Sequence, residues 1–167
     1  MKALVTYYSQ SGNTEKLANA VFEGIEQAEK EIMPIKEVSS VTGYDLILIG
    51  FPVQAHSVPG KVEAFVKGIP EGQKVGFFAT HGSLRGGELA VTAFYYSLTL
   101  AKHAVVLGTF GCRGKVNDKI LDAVRQKAEH RAWAEEAQSA MGHPDQADLE
   151  DGKDWAQSMI TRARAHS

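Results

Sequence analysis

The chain has 167 residues, of which 44% are hydrophobic and 23% charged, a composition that is typical of one globular domain and excludes disordered chains and fibrous repeats. The formal net charge is −2 at pH 7, so the sequence does not indicate the basic face that nucleic-acid binding requires. Cys112 is the only cysteine, which excludes an intramolecular disulfide and a CxxC redox or zinc pair.

The first predicted unit is a strand, a polar loop and a helix. Residues 2–8 form an apolar run of strand length, and the turn-forming residues 9–14 follow it. A helix should begin directly after this loop, because apolar residues then recur at helical spacing at Leu17, Ala18, Val21, Ile25 and Ala28. The loop therefore joins the end of a strand to the start of a helix.

An edge strand and a central strand are predicted next. Residues 31–38 form a weaker strand, and Pro34 inside it lacks a backbone N–H, so we expect this strand at the edge of a sheet. Residues 45–51 form a continuous apolar run, which is typical of a strand covered on both faces and predicts a central position. A loop at 52–60 follows, and then a short helix that is marked by Val62, Phe65 and Val66 and stopped by Pro70.

Two more strands are predicted at residues 75–79 and 104–110, with a Gly-rich loop at 81–87 and a helix between them. The helix is predicted because its apolar or small residues repeat at intervals of three and four, at Leu89, Ala90, Ala93, Phe94, Ser97, Leu98 and Ala101.

Two helices are predicted in the C-terminal third of the chain. Residues 118–141 form one long amphipathic pattern that ends before Gly142 and Pro144, and Asp148 is predicted to cap a final helix over residues 148–165. The stretch 112–144 is longer than a crossover helix requires. We therefore interpret it as an addition to a core of residues 1–111 within a single domain, 1–167, in which Trp133 either covers the site or faces a partner.

Alternation of five strands with helices predicts an α/β fold with a doubly wound parallel sheet between two helical layers, because each parallel pair needs a crossover connection. The edge character of the second strand favours the strand order 2-1-3-4-5. In such folds a ligand lies outside the carboxyl ends of the strands, where the loops after the first, third and fourth strands should surround one crevice.

The loop after the first strand is the most informative segment for chemistry. It places three hydroxyls, two amides and a glycine at the N-terminus of a helix, where free N–H groups favour an anion. Its residues are Ser9, Gln10, Ser11, Gly12, Asn13 and Thr14. The alternative is that this loop only caps the helix.

Several other phosphate and nucleophile motifs are absent from the sequence. Neither GxxxxGK[ST] nor GxGxxG occurs, which disfavours a magnesium triphosphate and a dinucleotide and leaves a monophosphate. Ser83 does not stand in a GxSxG turn, so a serine hydrolase is disfavoured. No acidic cluster follows the first or the third strand, which disfavours a phosphoacceptor receiver domain.

At these residues the sequence resembles the flavodoxin family, over roughly residues 2–111. The spacing of the family's phosphate-loop signature is matched at Tyr7, Ser9, Gly12, Thr14, Ala18 and Val21, whereas Thr6 stands where an apolar residue is usual. The resemblance implies that the loop at 9–14 binds the phosphate of FMN. It also implies that two loops flank the flavin ring, namely Pro52, Val53, Gln54, Ala55, His56 and Ser57 in one and Thr80, His81, Gly82 and Ser83 in the other.

The two ring loops depart from the family pattern. Many flavodoxins hold the ring between a Trp and a Tyr, whereas these loops contain neither, so we expect one open ring face. His56 and His81 either stack on the flavin or relay a proton to it, and the alternative is that they are loop histidines in water. We expect the other four histidines in water and no metal site, because no pair has ligand spacing; they are His103, His130, His143 and His166.

Functionally, the resemblance implies an FMN protein that carries electrons between redox partner proteins. An NAD(P)H-dependent FMN or quinone reductase is the alternative that an open ring face favours. A third hypothesis is an FMN-binding interaction protein without turnover, with Trp133 and the basic stretch 113–131 as its contact surface.

The expected location of the protein is the cytoplasm. The apolar run at the N-terminus is too short for a signal peptide, and no apolar run has the length of a membrane span. A single cysteine also fits a reducing compartment. We expect Cys112 to be packed in the interior, although the neighbouring Arg113 and Lys115 leave a reactive thiol as the alternative. A homodimer is a further expectation.

Overall fold

The computed structural model describes residues 1–166 and is built on one parallel β-sheet. Its five strands lie in the order β2-β1-β3-β4-β5, which confirms the predicted order and the central position of the third strand. The strands are β1 (Lys2–Tyr7), β2 (Glu29–Pro34), β3 (Leu46–Pro52), β4 (Lys74–His81) and β5 (Val105–Arg113).

Helices cover both faces of the sheet and give the expected three layers. One core joins the sheet to the first and the last helix, and a second core joins the opposite face to the two middle helices. The helices are α1 (Asn13–Glu23), α2 (Gly60–Lys67), α3 (Glu88–Leu100), α4 (Asp118–Arg125), α5 (Arg131–Gln138) and α6 (Gln146–Ala165).

Alternation along the strands sorts side chains into these two cores. In β1, Ala3 and Val5 pack towards α1 and α6, whereas Leu4 packs towards α2 and α3, because successive strand residues point to opposite faces. All three are fully buried. A buried leucine or valine contributes about 1.5–3 kcal/mol, so these cores hold the carboxyl edge of the sheet in place.

The second strand was predicted over residues 31–38, and this boundary is wrong. The strand runs from Glu29 to Pro34, and a 3-10 turn, Ile35–Glu37, follows it. Pro34 pairs with Tyr7, the last residue of β1, so the chain beyond Pro34 has no neighbouring strand to pair with. The predicted edge position of this strand is confirmed.

The single helix predicted over 118–141 is two helices, α4 and α5, separated by an extended residue, Lys127, and a short 3-10 turn. No glycine or proline marks this break in the sequence. The break lets α5 pack against α4 and bury Ala134 and Ala137, which one continuous helix would not allow. Tertiary packing therefore overrides the local helical pattern.

The cap of the last helix and the end of the fifth strand also differ from the predictions. Asp145, not Asp148, is the N-cap of α6, and Asp148 completes a capping box by accepting from the backbone N–H of Asp145. The fifth strand continues to Arg113, so Cys112 lies inside a strand. Within residues 1–166, no helix combines the length and apolar character needed to cross a bilayer.

Candidate functional site

Three loops meet at the carboxyl edge of the sheet: loop β1–α1 (residues 8–12), loop β3–α2 (53–59) and loop β4–α3 (82–87). The hydroxyl oxygens of Thr14 and Thr80 are 2.8 Å apart, and Gln54 Nε2 donates to Gln10 Oε1 at 2.5 Å. The backbone N–H of Val53 donates to the carbonyl of Thr80 at 2.9 Å. These bonds join the three segments around one crevice, where the sequence placed them.

The N-terminus of α1 offers unpaired donors at this crevice. Gly12 adopts φ +88°, a left-handed conformation that glycine tolerates, and α1 begins at the next residue. Among residues 1–166, the backbone N–H groups of Asn13, Thr14 and Glu15 meet no acceptor. Ser9 Oγ accepts from the Gly12 N–H at 3.2 Å, which leaves its own hydroxyl hydrogen for a ligand.

Loop β1–α1 itself contains no lysine or arginine, and two lysines near the start of α1 are bonded to other groups. Lys16 Nζ donates to the Pro144 carbonyl at 2.6 Å, and Lys115 Nζ lies 3.3 Å from an Asp118 carboxylate oxygen. The carboxylate of Glu15 accepts from the Tyr7 hydroxyl at 2.9 Å. Burial, together with this carboxylate, raises the pKa of Tyr7 to about 12. The loop therefore presents an anion with uncharged N–H and O–H donors.

Asn13 and Thr14, the first two residues of α1, have side chains that bond to other segments. Thr14 is 1% exposed and bonded to Thr80, so its hydroxyl can donate to a ligand only when Thr80 donates to it. Asn13 Nδ2 donates to the Lys115 carbonyl at 2.8 Å, which joins the start of α1 to the chain that follows β5. Ser11 and Gln10 are exposed.

Loop β3–α2 contains a tight hairpin. Gln54 and Ser57 exchange backbone hydrogen bonds of 3.1 and 2.9 Å, and the two residues between them, Ala55 and His56, have φ values of +46° and +64°. Positive φ at both central positions is the geometry of a type I′ turn, which favours Asn and Gly. Because neither is present, the hairpin is strained, and it places His56 exposed at its tip.

His81 is buried rather than free in a loop. Only 5% of it is exposed, its Nδ1 lies 2.9 Å from the Ser83 carbonyl, and a Cβ on Gly111 would come within 3.1 Å of its Nε2. Burial lowers the pKa of His81, and the positive charges of Arg113 and Arg85 lower it further, against the opposing hydrogen bond to Ser83. The imidazole is therefore held neutral, with little surface for stacking.

The prediction that the other four histidines lie in water is wrong for His143 and His103. His143 Nδ1 lies 2.5 Å from Asp148 Oδ2, and His103 is half-buried with an unpartnered Nε2. The ligand atoms of His143, Asp145 and Asp148 lie within 4.8 Å of one another, although the sequence showed no metal-ligand spacing. The capping box and a 3.3 Å ion pair from Arg85 to Asp148 account for this cluster.

Cys112 packs in the core between the sheet and helices α1 and α6. It is fully buried, and burial raises the pKa of its thiol to about 12. The packed interpretation is therefore confirmed over the reactive one.

A cleft of about 720 Å³ adjoins the crevice. Loop β3–α2, loop β4–α3 and the start of α3 line it. Its third wall comes from the segment between β5 and α6 (residues 114–145, the inserted segment). Of this wall the sequence indicated only Trp133, as a residue that either covers the site or faces a partner, and its other residues carried no signal. The residues of this wall are Val124, His130, Ala132, Trp133 and Glu136.

Comparison with known proteins agrees with this architecture. The family model of the flavodoxin domain matches residues 4–157. Among curated proteins, the flavodoxin-like domain-containing protein BilS of Clostridioides difficile (strain CD3) is 25% identical over 175 aligned positions, which cover 98% of each chain.

Solved structures share the fold at low identity. A flavodoxin from the domain Archaea superposes with a TM-score of 0.62 at 16% identity, over 98% of this chain and 99% of that one. A flavoprotein in complex with FMN from Lactobacillus acidophilus NCFM gives a TM-score of 0.53 at 21% identity, over 73% of this chain and 97% of that one. Similarity at these identities shows a common fold.

Proposed function

This chain belongs to the flavodoxin domain family, and on that premise we propose that it binds one FMN at loop β1–α1 and uses the flavin for electron transfer. The single observation that carries the proposal is the set of unpaired donors at the start of α1. The fold shared with a flavoprotein that holds FMN supports it.

The donor set fits the phosphate of FMN. Three free backbone N–H groups and the hydroxyls of Ser9 and Ser11 surround the start of a helix without a paired cation. Hydrogen bonds to a charged group contribute about 1.5–3 kcal/mol each, against about 0.3–1 kcal/mol for the helix dipole. Several such bonds therefore dominate the affinity, and a compact monoester dianion satisfies them together.

The remaining loops suit the ring of the same molecule. The crevice between loop β3–α2 and loop β4–α3 leads from the phosphate position to the cleft, where the exposed His56 can form hydrogen bonds. Apolar and small side chains form much of the lining, which excludes water from a bound ring. When bound, the flavin supplies the one- and two-electron chemistry that this chain's own side chains lack.

We propose a redox partner protein as the source or acceptor of the electrons. The volume of the cleft favours a second candidate, an NAD(P)H-dependent FMN or quinone reductase, because about 720 Å³ is a usual size for a small-molecule site. Anaerobic mixing of the FMN-loaded protein with NADH or NADPH separates the two functions. Rapid bleaching of the flavin would identify a reductase, and an unchanged spectrum would exclude a reductase that uses NADH or NADPH.

A comparison of FMN with riboflavin, which lacks the phosphate, tests whether loop β1–α1 binds the phosphate. In isothermal titration calorimetry, Ser9→Ala combined with Ser11→Ala should weaken FMN binding by at least about 100-fold, because two donors to a charged group, at about 1.5–3 kcal/mol each, are removed. Riboflavin, which has no phosphate, should lose little affinity. Ser39→Ala, an exposed serine in the loop before β3, is the control and should change neither ligand.

Equal losses for FMN and riboflavin would contradict the assignment, since they would show that these serines act on the ring or on folding. A wild-type protein that binds neither flavin would remove the proposed function altogether.

A further inference from the structure

Helix α3 presents an apolar side to solvent. Tyr95, in the middle of this side, is 69% exposed, the largest exposed fraction of any large hydrophobic side chain within residues 1–166. Val91 and Leu98 lie four positions before and three positions after it, on the same side of the helix, and are 39% and 36% exposed. The other side of α3 packs on the sheet through Ala93 and Phe94. A helix that is apolar on both sides is typical of one that is covered on both sides.

The exposed positions of α3 are symmetric about Tyr95. In a helix with about 3.6 residues per turn, residues three, four or seven positions apart lie on the same side. Every residue at these distances from Tyr95, in both directions, is exposed, and together with Tyr95 they form the α3 face; they are Glu88, Val91, Thr92, Leu98, Thr99 and Lys102. Lys102 lies two residues beyond the end of α3, in the turn that follows.

The two charges of the α3 face lie at its opposite ends. Glu88 is the first residue of α3, Lys102 follows the last turn, and residues 89–101 contain no charged side chain. Within residues 1–166, neither Glu88 nor Lys102 has an ion-pair partner. The face is therefore apolar in the middle, negative at one end and positive at the other.

We propose that α3 pairs antiparallel with α3 of a second copy of this chain, about a two-fold axis beside Tyr95. Such an axis brings residue i of one copy to residue j of the other and j to i, so positions before Tyr95 meet positions after it. Tyr95 then faces the same residue of the other copy, and Val91 faces Thr99. Glu88 faces Lys102 at both ends of the contact. A parallel pair would instead oppose identical charges, which disfavours association.

The dimensions of the α3 face suit this pairing. From Glu88 to Lys102 the chain rises about 20 Å, at about 1.5 Å per residue. Packed helix axes lie about 8–10 Å apart, a separation that the long side chains of Glu88 and Lys102 span together. Burial of the apolar middle supplies the affinity, and the end charges set the orientation. Glu88 also lines the cleft, so the interface borders it. The inference is independent of FMN binding.

Sedimentation equilibrium tests the self-association. Wild type should be dimeric at about 100 μM and dissociate towards about 1 μM, because a small interface gives micromolar affinity. Tyr95→Glu opposes two carboxylates at the axis and should weaken the dimer by at least about tenfold. Met141→Glu is the matched control, because Met141 is 54% exposed and lies outside α3; it should leave the dimer unchanged. Circular dichroism checks that both variants fold.

Exchange of the end charges tests the antiparallel orientation. Glu88→Lys and Lys102→Glu should each weaken self-association, on the order of tenfold, because each substitution turns two attractive contacts per dimer into two repulsive ones. A mixture of the two variants should recover the wild-type affinity, since both contacts again join opposite charges.

Disulfide trapping locates the axis and does not depend on high affinity. Tyr95→Cys places two cysteines across the axis, so copper phenanthroline should link the two copies. Thr99→Cys should not link, because its two copies would lie about 12 Å apart, beyond the reach of a disulfide. The native Cys112 is fully buried and does not compete.

The inference is overturned if wild type stays monomeric at about 100 μM, a result that would favour a different protein as the partner of the α3 face. Equal effects of Tyr95→Glu and Met141→Glu would also overturn it, and so would a mixture of the charge variants that fails to recover the dimer.

Discussion

Burial changes the chemistry of two residues whose types alone suggested reactivity. Cys112 follows a strand pattern beside Arg113 and Lys115, yet its thiol lies in the core and its pKa is raised by burial. His81 follows the fourth strand in a Gly-rich stretch, yet it is part of that strand and its pKa is lowered by burial. In both cases the neutral form is favoured, because the low-dielectric interior penalises the charged form.

Cys112 should be unreactive in the folded protein. With a thiol pKa of about 12, the thiolate fraction at neutral pH is negligible, and the side chain is fully buried. Labelling with iodoacetamide, followed by mass spectrometry, should show no adduct until urea unfolds the chain. Rapid labelling of the native protein would show that the strand opens at this position.

At the scale of elements, two helices cross at close range because glycine occupies the contact. Gly24, at the end of α1, lies against α6, and a Cβ there would come within 2.4 Å of the Lys153 backbone. Gly152 on α6 likewise lies against Leu17 of α1. These contacts let α1 and α6 cover the same face of the sheet.

Gly24→Ala should therefore destabilise the protein. Backbone atoms cannot move aside as a side chain can, so α6 must shift, at a cost of about 1–3 kcal/mol. Gly60→Ala is the control, because no atom lies within 4 Å of its added Cβ, and it should be neutral or stabilise by about 0.4–1 kcal/mol. Urea unfolding followed by circular dichroism measures both, and equal effects would refute the packing argument.

At the scale of the whole molecule, the stability should depend on pH through His81. Its pKa in the folded state is lowered below 6.5, whereas the unfolded chain takes up the proton at its ordinary pKa. The contribution of His81 to the free energy of unfolding is therefore complete above pH 6.5. It is lost as the pH falls below 6.5, by at most about 1.4 kcal/mol per pH unit.

His81→Gln tests this dependence, since glutamine retains an N–H donor for the Ser83 carbonyl and does not titrate. The free energy of unfolding, measured in urea between about pH 8 and pH 5, should fall less steeply for the variant than for wild type. Parallel curves would show that His81 is protonated equally in the folded and unfolded states.

Much of the fold could be predicted from local patterns. The apolar run in β3 indicated a strand covered on both faces, and Pro34 indicated an edge, because a missing N–H cannot join a central ladder. Polar residues of loop β1–α1 indicated an anion site at a helix N-terminus. The expected phosphate contacts, the redox partner and a homodimer stay predictions.

The sequence by itself determined the strand order, the two helical layers and the edge at which three loops meet, because strand and helix periods are properties of neighbouring residues. Only the tertiary structure decided the break between α4 and α5, the burial of His81 and Cys112, and the position of Trp133 in the cleft. Those features depend on contacts between residues far apart in the chain, and no local pattern contains them.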